Sequence, residues 1–138
     1  MLDANKIKKL FKKMNDHLKK QDEIGEIGIV GGAVMCIVYQ ARPSTKDVDA
    51  IFKPSAIIRK IAKWVGDEEG LSAGWLNDAV KPYLKPGFER EEVLSLSHLK
   101  VWAPEPRYML AMKCLSARFD THDGDDIKFL IRHLKLKK

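Results

Sequence analysis

Two aspartates, Asp47 and Asp49, lie one residue apart in KDVDAIF, a segment whose apolar residues alternate as in a β-strand. Residues i and i+2 of a strand point to the same side, with Cα atoms about 6.5–7 Å apart. The two carboxylates would repel each other unless a positive charge lay between them, so the pattern predicts a shared cation. Such hard oxygen ligands suit Mg²⁺ or Mn²⁺. Taken alone, however, Asp-x-Asp is more often an exposed feature of an edge strand.

A glycine pair, Gly31 and Gly32, separates the apolar run GEIGIV from a segment predicted to be a helix from Ala33 to about Gln40. Backbone N–H groups at such a junction have no side chain in front of them and favour a phosphate. Alone, a glycine pair is more often a turn. Next to a metal site made of two carboxylates, the glycine pair would allow the chain to bind a nucleoside triphosphate together with its metal ion. The glycines and the aspartates are therefore predicted to be two halves of one site.

Hydrophobic periodicity predicts the elements that must position these residues. Asp3 is expected to cap a basic amphipathic helix within 1–21, whose apolar residues are Ile7, Leu10, Phe11, Met14 and Leu18. GEIGIV is expected to be a buried strand, ARPST a loop, and the segment after Pro54 a helix ending near Gly70. LSAGWLNDAVKPYL is expected to be a shorter helix, and EEVLSLSHLKVWAP to contain one or two strands.

The C-terminal part, 104–138, is predicted to be a pair of helices. The first runs from about Glu105 to Arg118. The second opens at Asp125 or Asp126 and places four apolar residues on one face: Ile127, Leu130, Ile131 and Leu134. The order α-β-α-β-α-α-β-(β)-α-α predicts an α+β (mixed α/β) fold, with helices packed on a small mixed β-sheet, in a single domain over 1–138.

Composition narrows the class of protein. No apolar run approaches the roughly 20 residues needed to cross a bilayer, and the N-terminus has no uninterrupted apolar region typical of a secretory signal. A cytoplasmic protein with no membrane partner is therefore expected. The two cysteines, Cys36 and Cys114, lie in apolar surroundings, which is typical of small buried side chains rather than of a disulfide framework.

The net charge is +6, which is compatible with a polyanionic partner such as a nucleic acid or a nucleotide. Much of the excess lies at the two ends of the chain. Seven lysines occur in the first predicted helix: Lys6, Lys8, Lys9, Lys12, Lys13, Lys19 and Lys20. Two interpretations remain open for this helix, a solvated amphipathic element docked on the domain and a surface that faces nucleic acid.

The glycine pair followed by RPSTKDVDAIF resembles the polymerase-β-type nucleotidyltransferase superfamily. Its signature is Gly-Gly or Gly-Ser at a strand-to-helix junction, followed by Asp-x-Asp on the next strand. The Arg-x-Ser/Thr-x-x-Asp-x-Asp variant is similar to the minimal bacterial branch, which includes abortive-infection-type nucleotidyltransferase toxins of toxin–antitoxin systems. PRYMLAMKCLSAR and DGDDIKFL resemble that branch too, with a lysine in a long apolar helix and an Asp-rich start to the last helix.

The resemblance implies a role for nine residues. Gly31 and Gly32 would hold the triphosphate, and Asp47 and Asp49 would bind the catalytic metal ions. The nucleotide-side loop would be shaped by Arg42, Ser44 and Thr45. Lys113 would reach the phosphates, and Asp126 would position that lysine or the nucleotide. From the residues alone, Lys113 is equally well a lysine whose stem lies along apolar surface. Asp123, Asp125 and Asp126 can each cap the last helix, and capping is favoured for at least one of them.

The resemblance also implies binding partners, and the chain differs from the superfamily in one respect, a third carboxylate. The partners would be a nucleoside triphosphate, a hydroxyl acceptor on RNA, protein or a small molecule, and, in a toxin–antitoxin setting, an antitoxin. Full members of the superfamily supply a third carboxylate from a later strand, but VLSLSHLKVW contains none, and Glu89, Glu91 and Glu92 before it are not assigned that role. The alternative is therefore a catalytically degenerate scaffold of the same fold that binds a protein or nucleic acid.

Overall fold

A computed structural model describes residues 1–41, 43–78, 90–105, 128–129 and 131–134. Residues 128–129 and 131–134 are helical. The elements in chain order are β1 (Leu2–Asp3), α1 (Ala4–Lys20), β2 (Gly25–Val30), α2 (Gly32–Ile37), β3 (Ser44–Thr45), β4 (Val48–Lys53), α3 (Ser55–Glu68), β5 (Leu76–Asn77), β6 (Arg90–Ser95) and β7 (Leu99–Pro104).

The larger sheet has five strands in the order β5-β4-β2-β7-β6. Strand β2 is antiparallel to β4 and parallel to β7, whereas β5 is parallel to β4 and β6 is antiparallel to β7. Strands β1 and β3 form a separate antiparallel pair. The sheet is mixed and carries helices, which confirms the predicted α+β fold class.

The core lies between one face of this sheet and the helices α1 and α3. In β4, Val48, Ala50 and Phe52 are buried, and Asp49 and Ile51 alternate with them on the opposite face. A Cβ placed on Gly25 would touch side chains of both helices, which shows that α1 and α3 cover the same face. The five apolar residues predicted for the first helix are all fully buried, and Asp3 accepts a hydrogen bond from the Lys6 N–H as its N-cap.

Two predicted helices differ in the structure. Helix α2 ends at Ile37 rather than near Gln40, and Gln40 adopts φ +54°, a left-handed conformation that cannot continue a helix. The helix predicted within LSAGWLNDAVKPYL is wrong for its described part, because residues 76–77 form strand β5.

The reason for β5 is a tertiary contact of Trp75. Its indole N–H donates to the Ala62 carbonyl in α3 over 2.8 Å, and its carbonyl accepts from the Val48 N–H over 2.6 Å. The ring packs where Gly66 has no side chain, since a Cβ there would lie 2.9 Å from it. These contacts hold the chain extended beside β4 and override the helical spacing of its apolar residues.

The C-terminal prediction is tested only in part. The helix predicted from about Glu105 to Arg118 lies outside the described residues after position 105. In the last helix, Ile131 was expected on the packed face but is 40% exposed. The rings of Phe129 and His133 instead contact Tyr39, with centroids 5.6 and 4.9 Å away. Across the described ranges, no helix combines the length and apolar character needed to cross a membrane.

Candidate functional site

The strand-to-helix junction depends on the backbone conformation of Gly31. This residue is the N-cap of α2 and adopts φ +66° and ψ −141°, a region that residues with a Cβ rarely enter. Its carbonyl accepts hydrogen bonds from the N–H groups of Val34 and Met35, at 3.1 and 3.4 Å. By helix geometry, the N–H groups of Gly32 and Ala33, which precede Val34 in the first turn, have no intrahelical acceptor. The junction therefore presents backbone donors with no side chain over them.

Pairing of β2 with β4 brings Gly31 next to Asp49. Val30 lies directly opposite Asp49 in the antiparallel register. A Cβ placed on Gly31 would lie 3.5 Å from Asp49 Oδ2, so the missing side chain leaves open space beside the carboxylate. Asp49 is half-buried on the sheet face opposite α1 and α3. One glycine of the predicted phosphate grip is therefore adjacent to one aspartate of the predicted metal site.

Asp47 is positioned by a turn rather than by the strand. Strand β4 begins at Val48, two residues later than the strand predicted from KDVDAIF. Thr45 is buried in β3, and its hydroxyl donates to the Asp47 carbonyl over 3.1 Å. The chain changes partner here, from β1 beside Ser44 and Thr45 to β2 beside Asp49. Thr45 thus fixes the backbone of half-buried Asp47, and its role beside a nucleotide stays a prediction.

The structure adds Asn77, which the sequence reasoning missed. In the parallel register of β4 and β5, Asn77 lies opposite Asp49 and shares its face, one strand spacing of about 4.8 Å away. Its side-chain amide donates to the Gly74 carbonyl over 3.2 Å. A two-residue strand has no periodicity to recognise. The available signal was the order β4-α3-β5, because a strand that follows a crossover helix is commonly parallel to the strand before it.

The other acidic side chains of the sheet, among the residues that the structure describes, lie farther from Asp49 or are already paired. Glu91 and Glu92 belong to β6, three strand spacings or about 14 Å across the sheet from β4, too far to share a cation with Asp49. Asp78, which follows Asn77, is bound by Arg59 at 2.7 Å.

Glu105 follows the carboxyl end of β7. Because β2 and β7 are parallel, with Gly28 opposite Trp102, Glu105 leaves the sheet at the same edge as Gly31. Burial raises the pKa of Tyr39 to about 12, and the negative charges of Glu91 and Glu105 contribute to that rise. Glu105 is therefore near the end of α2, two strand spacings from β4.

The donor set suits a hard cation that completes its coordination with substrate and water. Among the described residues, no group of three or more His, Cys, Asp or Glu side chains is arranged to hold a metal ion. Mg²⁺ is commonly held by one or two carboxylates together with substrate phosphates and waters rather than by an all-protein cage. The carboxylates of Asp47 and Asp49, with the uncovered backbone at Gly31, fit that mode.

Three of the predicted site residues fall outside the described part of the chain: Arg42, Lys113 and Asp126. Their roles stay predictions. Ser44 is described; it is half-buried in β3 and pairs with Asp3. The structure thus brings together Gly31, Asp49 and the newly identified Asn77, with Asp47 at the entrance to β4.

Comparison with known proteins identifies a family. A family described as nucleotidyltransferases of unknown function (DUF6036) matches residues 5–136. No match was found among curated proteins, nor among solved structures. The matched range includes the glycine pair, the aspartate pair and β5, and it covers nearly the whole chain. The chain therefore belongs to this family of nucleotidyltransferases.

Proposed function

We propose that the protein is a Mg²⁺-dependent nucleotidyltransferase that binds a nucleoside triphosphate and transfers its nucleoside monophosphate to a hydroxyl. The observation that carries the proposal is the approach of Gly31 to Asp49, because it joins an uncovered backbone junction to a carboxylate. A triphosphate–metal complex needs both, since its oxygens accept hydrogen bonds and its cation requires oxygen ligands. Family membership supports the same class of reaction.

The chemistry is a displacement at the α-phosphorus. The acceptor oxygen forms a bond to that phosphorus, the bond to the bridging oxygen of the β-phosphate breaks, and pyrophosphate leaves with the electron pair. The acceptor proton passes to water. Mn²⁺ or Mg²⁺, when bound, supplies charge neutralisation and lowers the pKa of the attacking hydroxyl.

The residues of the chain bind and orient. The carboxylates of Asp47 and Asp49 would hold the cation, and the N–H groups at Gly31 and Gly32 would donate to phosphate oxygens. Because α2 is only six residues long, this donation depends on individual N–H groups rather than on a large helix dipole. Asn77 would orient a ligand on the Asp49 face through its side-chain amide.

Residues outside the described ranges complete the proposal. Lys113 would neutralise charge on the leaving pyrophosphate, Arg42 would border the nucleotide, and Asp126 would position that lysine or the nucleotide. The acceptor would be RNA, a protein or a small molecule. A cytoplasmic toxin–antitoxin or phage-defence setting, with an antitoxin as partner, belongs to the same proposal because the sequence resembles the abortive-infection branch.

A second candidate is a degenerate scaffold of the same fold that binds a protein or nucleic acid without nucleotide chemistry. The observation in its favour is that the described residues bring no third carboxylate within one strand spacing of Asp49 other than Asp78, which Arg59 binds. Such a scaffold would bind no triphosphate in a Mg²⁺-dependent manner.

The test is binding of labelled triphosphate with and without Mg²⁺. We expect the Asp47→Ala/Asp49→Ala variant to lose Mg²⁺-dependent binding while it remains folded. Glu91→Ala/Glu92→Ala is a matched control, because it removes the same charge from the same sheet about three strand spacings away. Binding by the aspartate variant equal to that of the wild type refutes the assignment.

A further inference from the structure

Six of the seven lysines of α1 form two groups on different sides of the helix, and exposed Lys20, the last residue of α1, belongs to neither group. Lys6, Lys9 and Lys13 all reach Glu69, with Nζ–Oε distances of 3.3, 3.4 and 3.5 Å. Lys13 also lies 4.0 Å from Glu68. Both glutamates lie where α3 ends, so these lysines fasten α1 to α3. We call them the paired lysine group.

A second group lies elsewhere around the helix axis. Lys8, Lys12 and Lys19 fall within about 40° of one another at 100° per residue, and they extend over about 16 Å of helix. Lys12 and Lys19 are exposed, and Lys8 is half-buried. Within the described part of the chain, none of the three forms an ion pair. We call them the open lysine flank.

Neighbouring contacts locate this flank. Between Lys12 and Lys19, Asn15 binds the turn that joins β6 to β7: its side-chain oxygen accepts from the His98 N–H at 2.7 Å, and its amide donates to the Ser97 hydroxyl at 3.4 Å. Beyond Lys8, the first turn of α1 borders an open cleft of about 470 Å³, lined among others by Asn5, Cys36 and Gln40. The same cleft borders the loop that leads to β3 and Asp47.

The chemistry of the flank selects the kind of partner. The exposed residues of α1 are all polar or charged, with Asp16 as the one acidic side chain among its exposed positions. Binding to a membrane surface requires apolar side chains that insert below the headgroups, and the centre of a protein interface is depleted of lysine. A row of unpaired ammonium groups suits regularly spaced phosphates. Each of the three lysines can contact one phosphate of a backbone that runs along the helix, and each such contact releases counterions.

We propose that the open lysine flank binds the phosphate backbone of a single-stranded RNA, and that RNA is the acceptor class of this protein. Binding by the flank stands on the charge distribution of α1. The acceptor role rests on the proposed function, since an RNA strand offers a hydroxyl on every ribose. The cleft beyond Lys8 leads a bound strand toward the loop before Asp47.

The test is fluorescence anisotropy of a labelled 20-nucleotide single-stranded RNA, without triphosphate, over a range of salt concentrations. Lys8→Gln/Lys12→Gln/Lys19→Gln is compared with Lys6→Gln/Lys9→Gln/Lys13→Gln, which loses the same net charge. We expect the open-flank variant to bind about tenfold more weakly and its salt slope to fall by about 2, or about 0.7 for each lost phosphate contact. The paired-group variant should bind within about threefold of the wild type.

Three outcomes overturn the proposal: no RNA binding by the wild type, equal weakening in both triple variants, and tighter binding to DNA of the same sequence. Thermal unfolding checks that each variant is folded, and Lys12→Glu at its exposed position repeats the test with one substitution. RNA binding without triphosphate should persist in Asp47→Ala/Asp49→Ala, since the open lysine flank is intact. Loss of triphosphate binding in that variant therefore tests the proposed function separately from the RNA site.

Discussion

At the residue scale, Gly31 meets two requirements, one of conformation and one of space. Its φ of +66° disfavours any residue with a Cβ, and its missing Cβ leaves room beside Asp49 Oδ2. Gly70 meets only the first: its φ is +68°, and a Cβ there would have nothing within 4 Å. A comparison of substitutions at Gly31 and Gly70 therefore separates the effect of backbone strain from the effect of filling space in the candidate site.

We expect Gly31→Ala and Gly70→Ala each to lower the free energy of unfolding by about 1–3 kcal/mol, because both force alanine to a positive φ. Only Gly31→Ala should also weaken Mg²⁺-dependent triphosphate binding. A Cβ at 3.5 Å is an ordinary contact with the carboxylate, but it fills space that a phosphate oxygen would use. Denaturant unfolding and triphosphate titration measure the two effects. Unchanged triphosphate affinity in Gly31→Ala counts against the phosphate role of the junction.

Among elements, α1 and α3 are joined by ion pairs of Glu68 and Glu69, and Glu69 receives three of the lysines of α1. A hydrogen bond from Lys6 is the largest cause that lowers the pKa of Glu69, and the charge of Lys13 lowers it further. A carboxyl whose pKa is lower in the folded than in the unfolded state stabilises the fold above its unfolded pKa. That contribution is lost as the pH falls through the folded pKa.

We therefore expect Glu69→Gln to be less stable than the wild type at pH 7, and the difference to shrink as the pH falls below the ordinary carboxyl range. Chemical unfolding at pH 7 and at about pH 3 measures this difference. Asp67→Asn is the control, because Asp67 is exposed near the same end of α3 and forms no ion pair with the described residues. A pH-independent loss in Glu69→Gln would show that packing, not charge, holds α1 on α3.

Elements with a clear period could be predicted from the sequence, and elements made by tertiary contact could not. The spacing of Ile7, Leu10 and Phe11 predicted α1, and the alternation of Val48, Ala50 and Phe52 predicted the buried face of β4. Strand β5 forms because Trp75 makes hydrogen bonds to α3 and β4. These tertiary contacts produce no pattern in the local sequence. Asn77 was missed for the same reason.

The candidate site shows the same division. The short connection from Gly31 to Asp49 and the two strand patterns predicted that glycine and carboxylate would lie close together, and the structure places them side by side. The position of Asp47 depends on the switch of pairing from β1 to β2 and on the hydrogen bond from Thr45, neither of which has a sequence signature. Which acid lies nearest the site depends on strand order, and strand order is decided by the whole sheet.

In the whole molecule, which carries a net charge of +6, the lysines of α1 are distributed unevenly around the helix. Of its seven lysines, Lys6, Lys9 and Lys13 form ion pairs with Glu69, and the three lysines of the open lysine flank are available to a partner. The net charge of the chain could not distinguish the paired lysine group from the open lysine flank, because both consist of lysines on the same helix. The chain can therefore carry two separate sites, a triphosphate site at Gly31 and Asp49 and a polyanion-binding surface on the open lysine flank. Each site can be tested independently of the other.

Binding of a metal–triphosphate complex by the junction at Gly31 and the two aspartates should stabilise the full chain against thermal unfolding. ATP, CTP, GTP and UTP are each added with and without Mg²⁺. We expect at least one triphosphate to raise the Tm in the presence of Mg²⁺ only, since a ligand at 100 times its Kd stabilises the folded state by about 2.7 kcal/mol. The rise should be absent in Asp47→Ala/Asp49→Ala. A Tm that no triphosphate raises in Mg²⁺, or a rise that persists in that variant, would contradict the account.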